Sequence, residues 1–237
     1  MSVIELGPIR IQVQQKDIQN IHLSVHPPHG AVRISAPERM DMDTIRIFAL
    51  SKLPWIKKQQ QSLRAQQCET PREYLDRESH YFLGQRYQLK VIERPGAPKI
   101  QLGPKQMKLH IRPGTTESKR QQLIENWYRS QLKVILPPMI EKWAKRIGIP
   151  PPSFGIKKMR TKWGSCNAAA QRIWLNLELA RKPLGCLEYI VVHELVHFLE
   201  RSHGPRFVEL MDRVLPQWRQ LREELNRLPF RHVGWGY

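Results

Sequence analysis

Length and composition place this 237-residue chain among globular proteins, because 41% hydrophobic and 25% charged residues are ordinary proportions for a chain that buries a core. A membrane protein is excluded because no segment approaches about 20 consecutive apolar residues, and a disulfide scaffold is excluded because only three cysteines occur. The N-terminus also lacks a secretory signal pattern, so we expect a cytoplasmic protein with no membrane partner. The net charge of +18 is spread over both halves of the chain and predicts attraction to anionic partners, nucleic acid included.

Residues 1–115 are predicted to form a β-rich N-terminal region. Apolar and polar residues alternate as in half-buried strands over residues 9–13, 21–25 and 31–34. Asp41 or Asp43 is a candidate N-cap for a helix that reaches Leu63, and Pro54 inside that pattern predicts two helices or a kink. Two hairpins are expected to follow, over residues 81–91 and 100–111.

Residues 116–237 are predicted to form a second, catalytic domain. Thr116 or Ser118 should start a helix that Pro137 and Pro138 interrupt and that then resumes to Ile147. An extended segment over residues 154–159 and a strand over residues 173–177 follow. A β-rich region joined to a helical one predicts an α+β protein.

The ten residues 190–199 are apolar except for His193, Glu194 and His197. A helix that is apolar on every side should be buried, and buried polar groups cost several kcal/mol unless they are satisfied. Histidines four residues apart point to one side of a helix, and the glutamate beside them can reach a water on a shared ion, as in H-E-x-x-H hydrolases. The spacing therefore predicts a zinc ion on both histidines, with Glu194 as the general base.

A third ligand is expected because a catalytic zinc commonly has three protein ligands and one water. The nearest candidate is His203, which an unbroken helix would turn about 80° away from the first ligand. The chain is therefore expected to leave the helix within residues 200–202, and Gly204-Pro205 fits the start of a new helix. Glu209 is the alternative third ligand. The histidine spacing is that of the metzincins, but Glu200 stands where that motif has its helix-breaking glycine, so a metzincin is not predicted.

Four segments of the chain share features with a known family: residues 159–166 (MRTKWGSC), Leu175-Asn176, residues 189–197 (YIVVHELVH) and residues 203–207 (HGPRF). Together they closely resemble the YgjP-like metallopeptidase family, which combines a Lys/Arg-Trp-Gly-Ser-Cys element, a Leu-Asn strand, and H-E-L-x-H with a third histidine six residues later. Carried over by position, the family's ligands fall on His193, His197 and His203, and its catalytic glutamate falls on Glu194.

The resemblance implies a zincin-like core, in which a small sheet packs on the active-site helix, and a distant relation to SprT-like and WLM-type proteases. It also implies a Zn²⁺-dependent metallopeptidase that acts on peptides or proteins. Trp163, Gly164 and Ser165 follow an extended segment at the predicted edge of the cleft, so they are candidates for substrate binding by strand addition. Cys166 is either a buried structural thiol or a reversible zinc ligand.

Two other functions compete with a metallopeptidase. A metal-dependent phosphoanhydride hydrolase acting on nucleoside triphosphates would use the same activated water, but the chain has no phosphate-cradling glycine motif. A nucleic-acid-associated binding module with a structural metal would fit the charge, but a closed metal site needs a fourth protein ligand that the sequence does not offer. The candidate phosphate contacts of the first alternative are Lys157, Lys158, Arg160 and Lys162.

Overall fold

The computed structural model describes residues 2–26, 30–65, 74–159 and 162–227, without the side chains of residues 62–65. These residues fall into two compact units, residues 2–65 and residues 74–227. Both units contain strands and helices, so the α+β prediction is confirmed. No helix in the described ranges is long and apolar enough to cross a membrane.

The first unit is a four-stranded sheet with two helices. Its strands lie in the order β1-β2-β4-β3, with a parallel central pair between two antiparallel pairs. The alternating apolar residues of the strands fill one face and pack with Ile45, Ala49 and Ile56 of the helices, as the sequence pattern predicts. The elements are β1 (Ser2–Leu6), β2 (Ile9–Lys16), β3 (His22–His26), β4 (Ala31–Pro37), α1 (Met42–Ser51) and α2 (Leu53–Ala65).

The predicted cap and proline break are both present in this unit. The Asp41 carboxylate accepts a hydrogen bond from the Thr44 backbone N–H at 2.7 Å and so fixes the start of α1. Pro54 lies in the first turn of α2, where its missing N–H costs little. The pattern that reaches Leu63 is therefore two helices.

The second unit begins with another four-stranded sheet, in the order β5-β6-β8-β7. It repeats the topology of the first: two hairpins are joined through a parallel central pair. The sequence has no visible internal repeat, so the two sheets share a topology without sharing a sequence pattern. Both predicted hairpins are confirmed. The strands are β5 (Ser79–Phe82), β6 (Gln85–Glu93), β7 (Lys99–Leu102) and β8 (Gln106–Ile111).

The prediction of an interrupted helix at Pro137 and Pro138 is wrong, since α3 runs without a break over Glu117–Ile147. Burial of a continuous apolar stripe, which includes Leu132, Leu136, Ile140 and Trp143, stabilises the helix on both sides of the prolines. The prolines free the carbonyls of residues 133 and 134. Both of these residues have exposed side chains, so water can satisfy the carbonyls.

The rest of the second unit is a small sheet and three helices. The sheet has the order β10-β11-β9, so β10 is an edge strand. Helix α4 packs against α3, α5, α6 and strands β10 and β11. The elements are β9 (Ser153–Lys157), β10 (Gly164–Asn167), β11 (Arg172–Asn176), a 3-10 helix (Leu177–Arg181), α4 (Leu184–Val196), α5 (Pro205–Val214) and α6 (Trp218–Arg227).

The compact units divide the chain earlier than the boundary predicted at residue 115. The turn between β5 and β6 is bonded to the 3-10 helix, because Leu83 N–H donates to the Ala180 carbonyl at 2.8 Å and Gly84 N–H donates to that of Arg181 at 3.2 Å. A side chain at Gly84 would also meet Pro183, directly before α4, at 2.9 Å. The second sheet therefore belongs to the same unit as the helix that carries the predicted ligands.

Candidate metal centre

Helix α4 places the predicted catalytic residues in the interior of the second unit. Every residue from Tyr189 to Val196 is buried; only 5% of His193 and 2% of Glu194 are exposed. The apolar composition of the helix explains this burial, since a helix without a polar face must be covered on all sides. Its polar groups must then be satisfied within the protein or by a bound ion.

The three predicted ligands converge. The Nε2 atom of His193 lies 3.2 Å from that of His197 and 3.1 Å from that of His203. One potential ligand atom from each residue lies within 4.8 Å of the others, and the three form a group that could hold a metal ion. Glu209 is exposed and is not a member of this group.

The bend that brings His203 to the site comes earlier than predicted, because α4 ends at Val196 and not within residues 200–202. The chain then tightens into i→i+3 hydrogen bonds, such as Leu199 N–H to the Val196 carbonyl at 2.9 Å. The Nδ1–H of His197 donates to the Glu200 carbonyl at 3.0 Å and uses the acceptor that a continuing helix would need.

Hydrogen bonds alone do not account for this arrangement. The Nδ1 atom of His197 carries its proton, so its Nε2 atom has only a lone pair in the neutral ring. If His193 Nε2 donates to it, His193 has no lone pair left for His203. A metal ion accepts all three lone pairs at once. The nitrogens around a tetrahedral zinc with bonds of about 2.0–2.1 Å lie about 3.3–3.4 Å apart, close to the separations seen here.

The electrostatics of the site favour neutral imidazoles, which are the form that binds a metal. Burial, followed by the neighbouring His197 and His203, lowers the pKa of His193 to about 3. Burial also lowers the pKa of His197 and of His203. The ring of Phe207 lies 4.8–5.0 Å from all three imidazole rings and covers one side of the cluster.

Glu194 faces the small sheet. A Cβ atom at Gly164 of strand β10 would lie 2.5 Å from its Oε1 atom and 2.8 Å from its Cδ atom, so only glycine lets the strand approach the carboxyl group. Burial raises the pKa of Glu194 to about 8, against a lowering effect from Lys162. A carboxyl group with such a pKa can exchange protons near neutral pH.

The structure adds Asn176, whose role the sequence reasoning missed. This side chain is fully buried and binds the segment before β10: its Nδ2 atom donates to the carbonyls of Met159 at 3.1 Å and Lys162 at 2.8 Å. Its Oδ1 atom accepts from the backbone N–H of Met159 and of Glu178. Asn176 therefore fixes the position at which the chain enters the edge strand. No local pattern in the sequence indicates these contacts, because they join segments 14 and 17 residues apart.

The other predicted site residues are distributed around β10. Trp163 is 3% exposed, and its carbonyl accepts from Asn176 N–H at 2.8 Å. Ser165 pairs with Trp174 in the sheet. Because side chains alternate along a strand, Ser165 points to the sheet face opposite to Gly164. Burial, with a smaller contribution from Glu194, raises the pKa of Cys166 to about 11. Cys166 is not a member of the group of described residues that could hold a metal ion, which favours the structural role for this thiol.

Two of the candidate phosphate contacts have other partners. The Lys158 ammonium forms an ion pair with Glu125 at 2.6 Å, and that of Lys157 lies 3.5 Å from the centre of the Trp174 ring. Lys162 is exposed, and Arg160 lies outside the described residues. These positions give no support to a phosphate site.

Comparison with known proteins decides the family. A family model described as the YgjP-like, metallopeptidase domain matches residues 19–228. The chain belongs to the YgjP-like metallopeptidase family. This confirms the resemblance carried by the Trp-Gly-Ser-Cys and His-Glu-Leu-Val-His segments, and family membership makes a metal-dependent peptidase the expected activity.

The other comparisons add little to the family assignment. None of the curated proteins compared with this YgjP-like chain matches it. Among solved structures, the metallopeptidase zymogen of Pyrococcus abyssi abylysin is similar over 39% of this chain and 97% of its own, at 18% identity and a TM-score of 0.35. A likeness this low carries no argument about function.

Proposed function

We propose that this protein is a zinc-dependent metallopeptidase with a zincin-like core, in which His193, His197 and His203 hold the ion and Glu194 is the general base. The observation that carries the proposal is the convergence of three imidazole nitrogens, with those of His197 and His203 3.1–3.2 Å from that of His193. The cluster extends from the buried His193 through the half-buried His197 to the exposed His203, so it is open to a substrate on one side. Family membership supports the peptidase activity.

A zinc ion bound there would polarise the peptide carbonyl and lower the pKa of a bound water. The residues of the chain have separate tasks. The Nδ1–H bond from His197 to the Glu200 carbonyl orients that ring and leaves its Nε2 lone pair for the metal. The Glu194 carboxylate accepts the proton of the attacking water and returns it to the leaving nitrogen.

The edge position of β10 supports an extended peptide as the substrate. One side of this strand pairs with β11, and no described strand pairs with the other. A peptide added there would pass beside Gly164, where the backbone lies closest to Glu194. We assign the backbone of Gly164 to substrate alignment. The predicted neighbours Trp163 and Ser165 direct their backbone groups towards β11, because the Trp163 carbonyl accepts from Asn176 N–H and every second residue of an antiparallel strand bonds the same partner.

Metal analysis tests the proposal directly. We expect the zinc-loaded wild type to bind close to one ion per chain, and His193→Ala, His197→Ala and His203→Ala each to weaken binding strongly, since each removes one of three ligands. The exposed His22→Ala is the matched control and should bind zinc like the wild type. Elemental analysis measures the ion, and a panel of casein and unstructured peptides measures the activity. A wild type that binds no zinc, or that cleaves no peptide when loaded, contradicts the proposal.

A further inference from the structure

Each of the four segments around the histidine cluster carries an exposed cation. Lys162 directly precedes the Trp163-Gly164 pair, and its carbonyl is fixed by Asn176. Arg201 lies in the turn between His197 and His203, and Arg206 directly precedes Phe207, whose ring contacts all three histidines. The fourth is Arg222, on α6. We call these four residues the basic rim.

Arg222 lies on the side of α6 that faces α4. Trp218 and Leu225 are the buried residues of this helix, and the Trp218 ring stacks on that of Tyr189 at 6.3 Å. At about 100° per residue, Arg222 lies roughly 40° from Trp218 around the helix. By the same rule Glu223 and Glu224 lie about 140° and 120° from Trp218, so the acidic residues of α6 point away.

None of the four rim cations forms an ion pair within the described residues. Two nearby carboxylates have partners of their own: Glu200 accepts from Ser202 N–H and Oγ, and Asp212 pairs with Arg219. Glu200 also interacts electrostatically with Arg206, so the charge of Arg206 is the one that is partly offset. Glu209 lies about 160° around α5 from Phe207 and so away from the histidines.

The rim lies beside the cluster. Lys162 is two residues before Gly164, where a Cβ atom would lie 2.5 Å from Glu194 Oε1, and Arg201 is two residues before His203. Arg222 is on the side of α6 that packs against α4, the helix that carries His193. A substrate in this site would therefore meet positive charge on several sides.

We propose that the site selects polypeptides that present a carboxylate beside the bond to be cleaved, and that Arg222 is its principal contact. This inference rests on the metallopeptidase function proposed above. The guanidinium of arginine matches the two oxygens of a carboxylate, and the carboxylate can belong to an Asp or Glu side chain or to a peptide C-terminus. Acidic segments, and not neutral or basic ones, are the substrates that this surface fits.

Binding to a zinc-loaded but inactive protein tests the selection without relying on turnover. The protein is the full chain with Glu194→Gln, and the probes are labelled peptides of one length with blocked ends that carry either Asp and Glu or the matching Asn and Gln. A third probe is the neutral peptide with a free C-terminal carboxylate. Dissociation constants are measured by fluorescence anisotropy at low and high salt.

We expect the acidic peptide to bind about five-fold more tightly than its amide match at low salt, and the difference to shrink at high salt. Adding Arg222→Gln should remove most of the difference. The matched control is Arg213→Gln, which removes the same charge from an exposed position about 120° from Phe207 on α5 and should leave the difference intact. Tighter binding of the free C-terminus alone would assign the contact to a terminal carboxylate.

Two results would overturn the inference while leaving the peptidase function intact: equal binding of acidic and neutral peptides, or equal effects of Arg222→Gln and Arg213→Gln. The second result would mean that only the overall charge of the protein matters. Failure of every peptide to bind, together with no cleavage by the zinc-loaded wild type, would instead remove the proposed function itself.

Discussion

Glu194 and His193 are neighbours whose pKa values are shifted in opposite directions by the same cause. Burial disfavours charge, so it raises the pKa of the carboxyl group to about 8 and lowers that of the imidazole to about 3. Both groups therefore favour their neutral forms at neutral pH. A divalent cation on the histidines would reverse this preference for Glu194 alone, because it attracts the carboxylate and needs the imidazole neutral.

The role of Glu194 as base is tested by Glu194→Gln. The amide fills nearly the same volume, so we expect the variant to keep its fold and its zinc, but an amide cannot accept the proton of the attacking water. Peptidase activity should fall by at least about 100-fold. Steady-state kinetics and metal content, measured on the same preparation, check both halves. A variant that retains more than a tenth of wild-type kcat would show that another group is the base.

The sequence predicted the roles of residues that recur at a regular helical spacing, and it did not predict roles that depend on contacts between distant segments. Four-residue spacing in an apolar helix predicted that His193 and His197 face one point. The contacts of Asn176 join segments 17 and 14 residues apart, and no local pattern encodes them. The proposed role of Arg222 likewise depends on the packing of α6 on α4 through Trp218 and Tyr189. Such roles depend on tertiary packing.

At the scale of elements, the approach of β10 to α4 determines what can pass beside Glu194. The two elements meet at Gly164, where no side chain separates the strand backbone from the carboxyl group. Asn176, the last residue of β11, binds the carbonyls of Met159 and Lys162 and so fixes the segment that leads into β10. The proposed catalytic carboxyl group and the proposed substrate edge are thereby held at a fixed separation.

Gly164→Ala tests this close approach. The added methyl group would lie within 2.5–2.8 Å of the Glu194 side chain, so the strand or the carboxyl group must shift. We expect a loss of kcat of ten-fold or more, on the order of the penalty for misplacing a catalytic group by about 1 Å, with zinc binding preserved.

Gly103→Ala is the matched control for that variant, because a Cβ atom there meets nothing closer than the Gln106 carbonyl at 3.7 Å. It should keep wild-type kinetics and zinc content. If Gly164→Ala behaves like this control, the strand is not held against Glu194 in solution, and the assignment of Gly164 to substrate alignment fails.

Patterns of alternation predicted strands better than prolines predicted helix ends. The strands and hairpins of the first 111 residues follow their apolar and polar alternation. Pro137 and Pro138 fail to end α3 because the buried stripe on either side stabilises a continuous helix. Helix α4 ends at Val196, where the N–H groups of Phe198 and Leu199 donate to carbonyls three residues back in place of four. The bond from His197 to the Glu200 carbonyl then stabilises the turn that follows.

At the scale of the whole molecule, the two four-stranded sheets have one topology, yet they belong to different compact units. The predicted boundary at residue 115 grouped them because strand content was the only signal available. The docking of the β5–β6 turn on the 3-10 helix is a long-range contact that composition does not reveal. The two sheets therefore have similar local structure but lie in different compact units.

The opposite pKa shifts give the metal-free protein a defined pH dependence. A His193 pKa lowered to about 3 means that the unfolded chain binds the extra proton, so stability falls as pH decreases below about 6.5. A Glu194 pKa raised to about 8 means that the folded chain holds the extra proton, so stability falls as pH rises from about 4.5 to 8. These two groups favour greatest stability at mildly acidic pH.

Glu194→Gln isolates the alkaline half of this dependence. We expect the metal-free wild type to lose more unfolding free energy than the variant between pH 5 and pH 8, by on the order of a few kcal/mol. Urea denaturation at the two pH values measures the difference, with zinc removed by a chelator and the chelator matched in all samples. Identical pH dependence in both proteins would show that Glu194 is not buried as described.

The open edge of β10 also has a consequence for the protein as its own neighbour. No strand in the described ranges pairs with this edge, and a strand edge of that kind accepts any extended chain, so in a concentrated solution a second copy of this protein would compete for it. β10 is only four residues long, and any copy that approached it would bring a net charge of +18 towards the cations beside the edge. Like charges repel, so the surface proposed to attract acidic segments would also protect the enzyme from aggregation and autolysis.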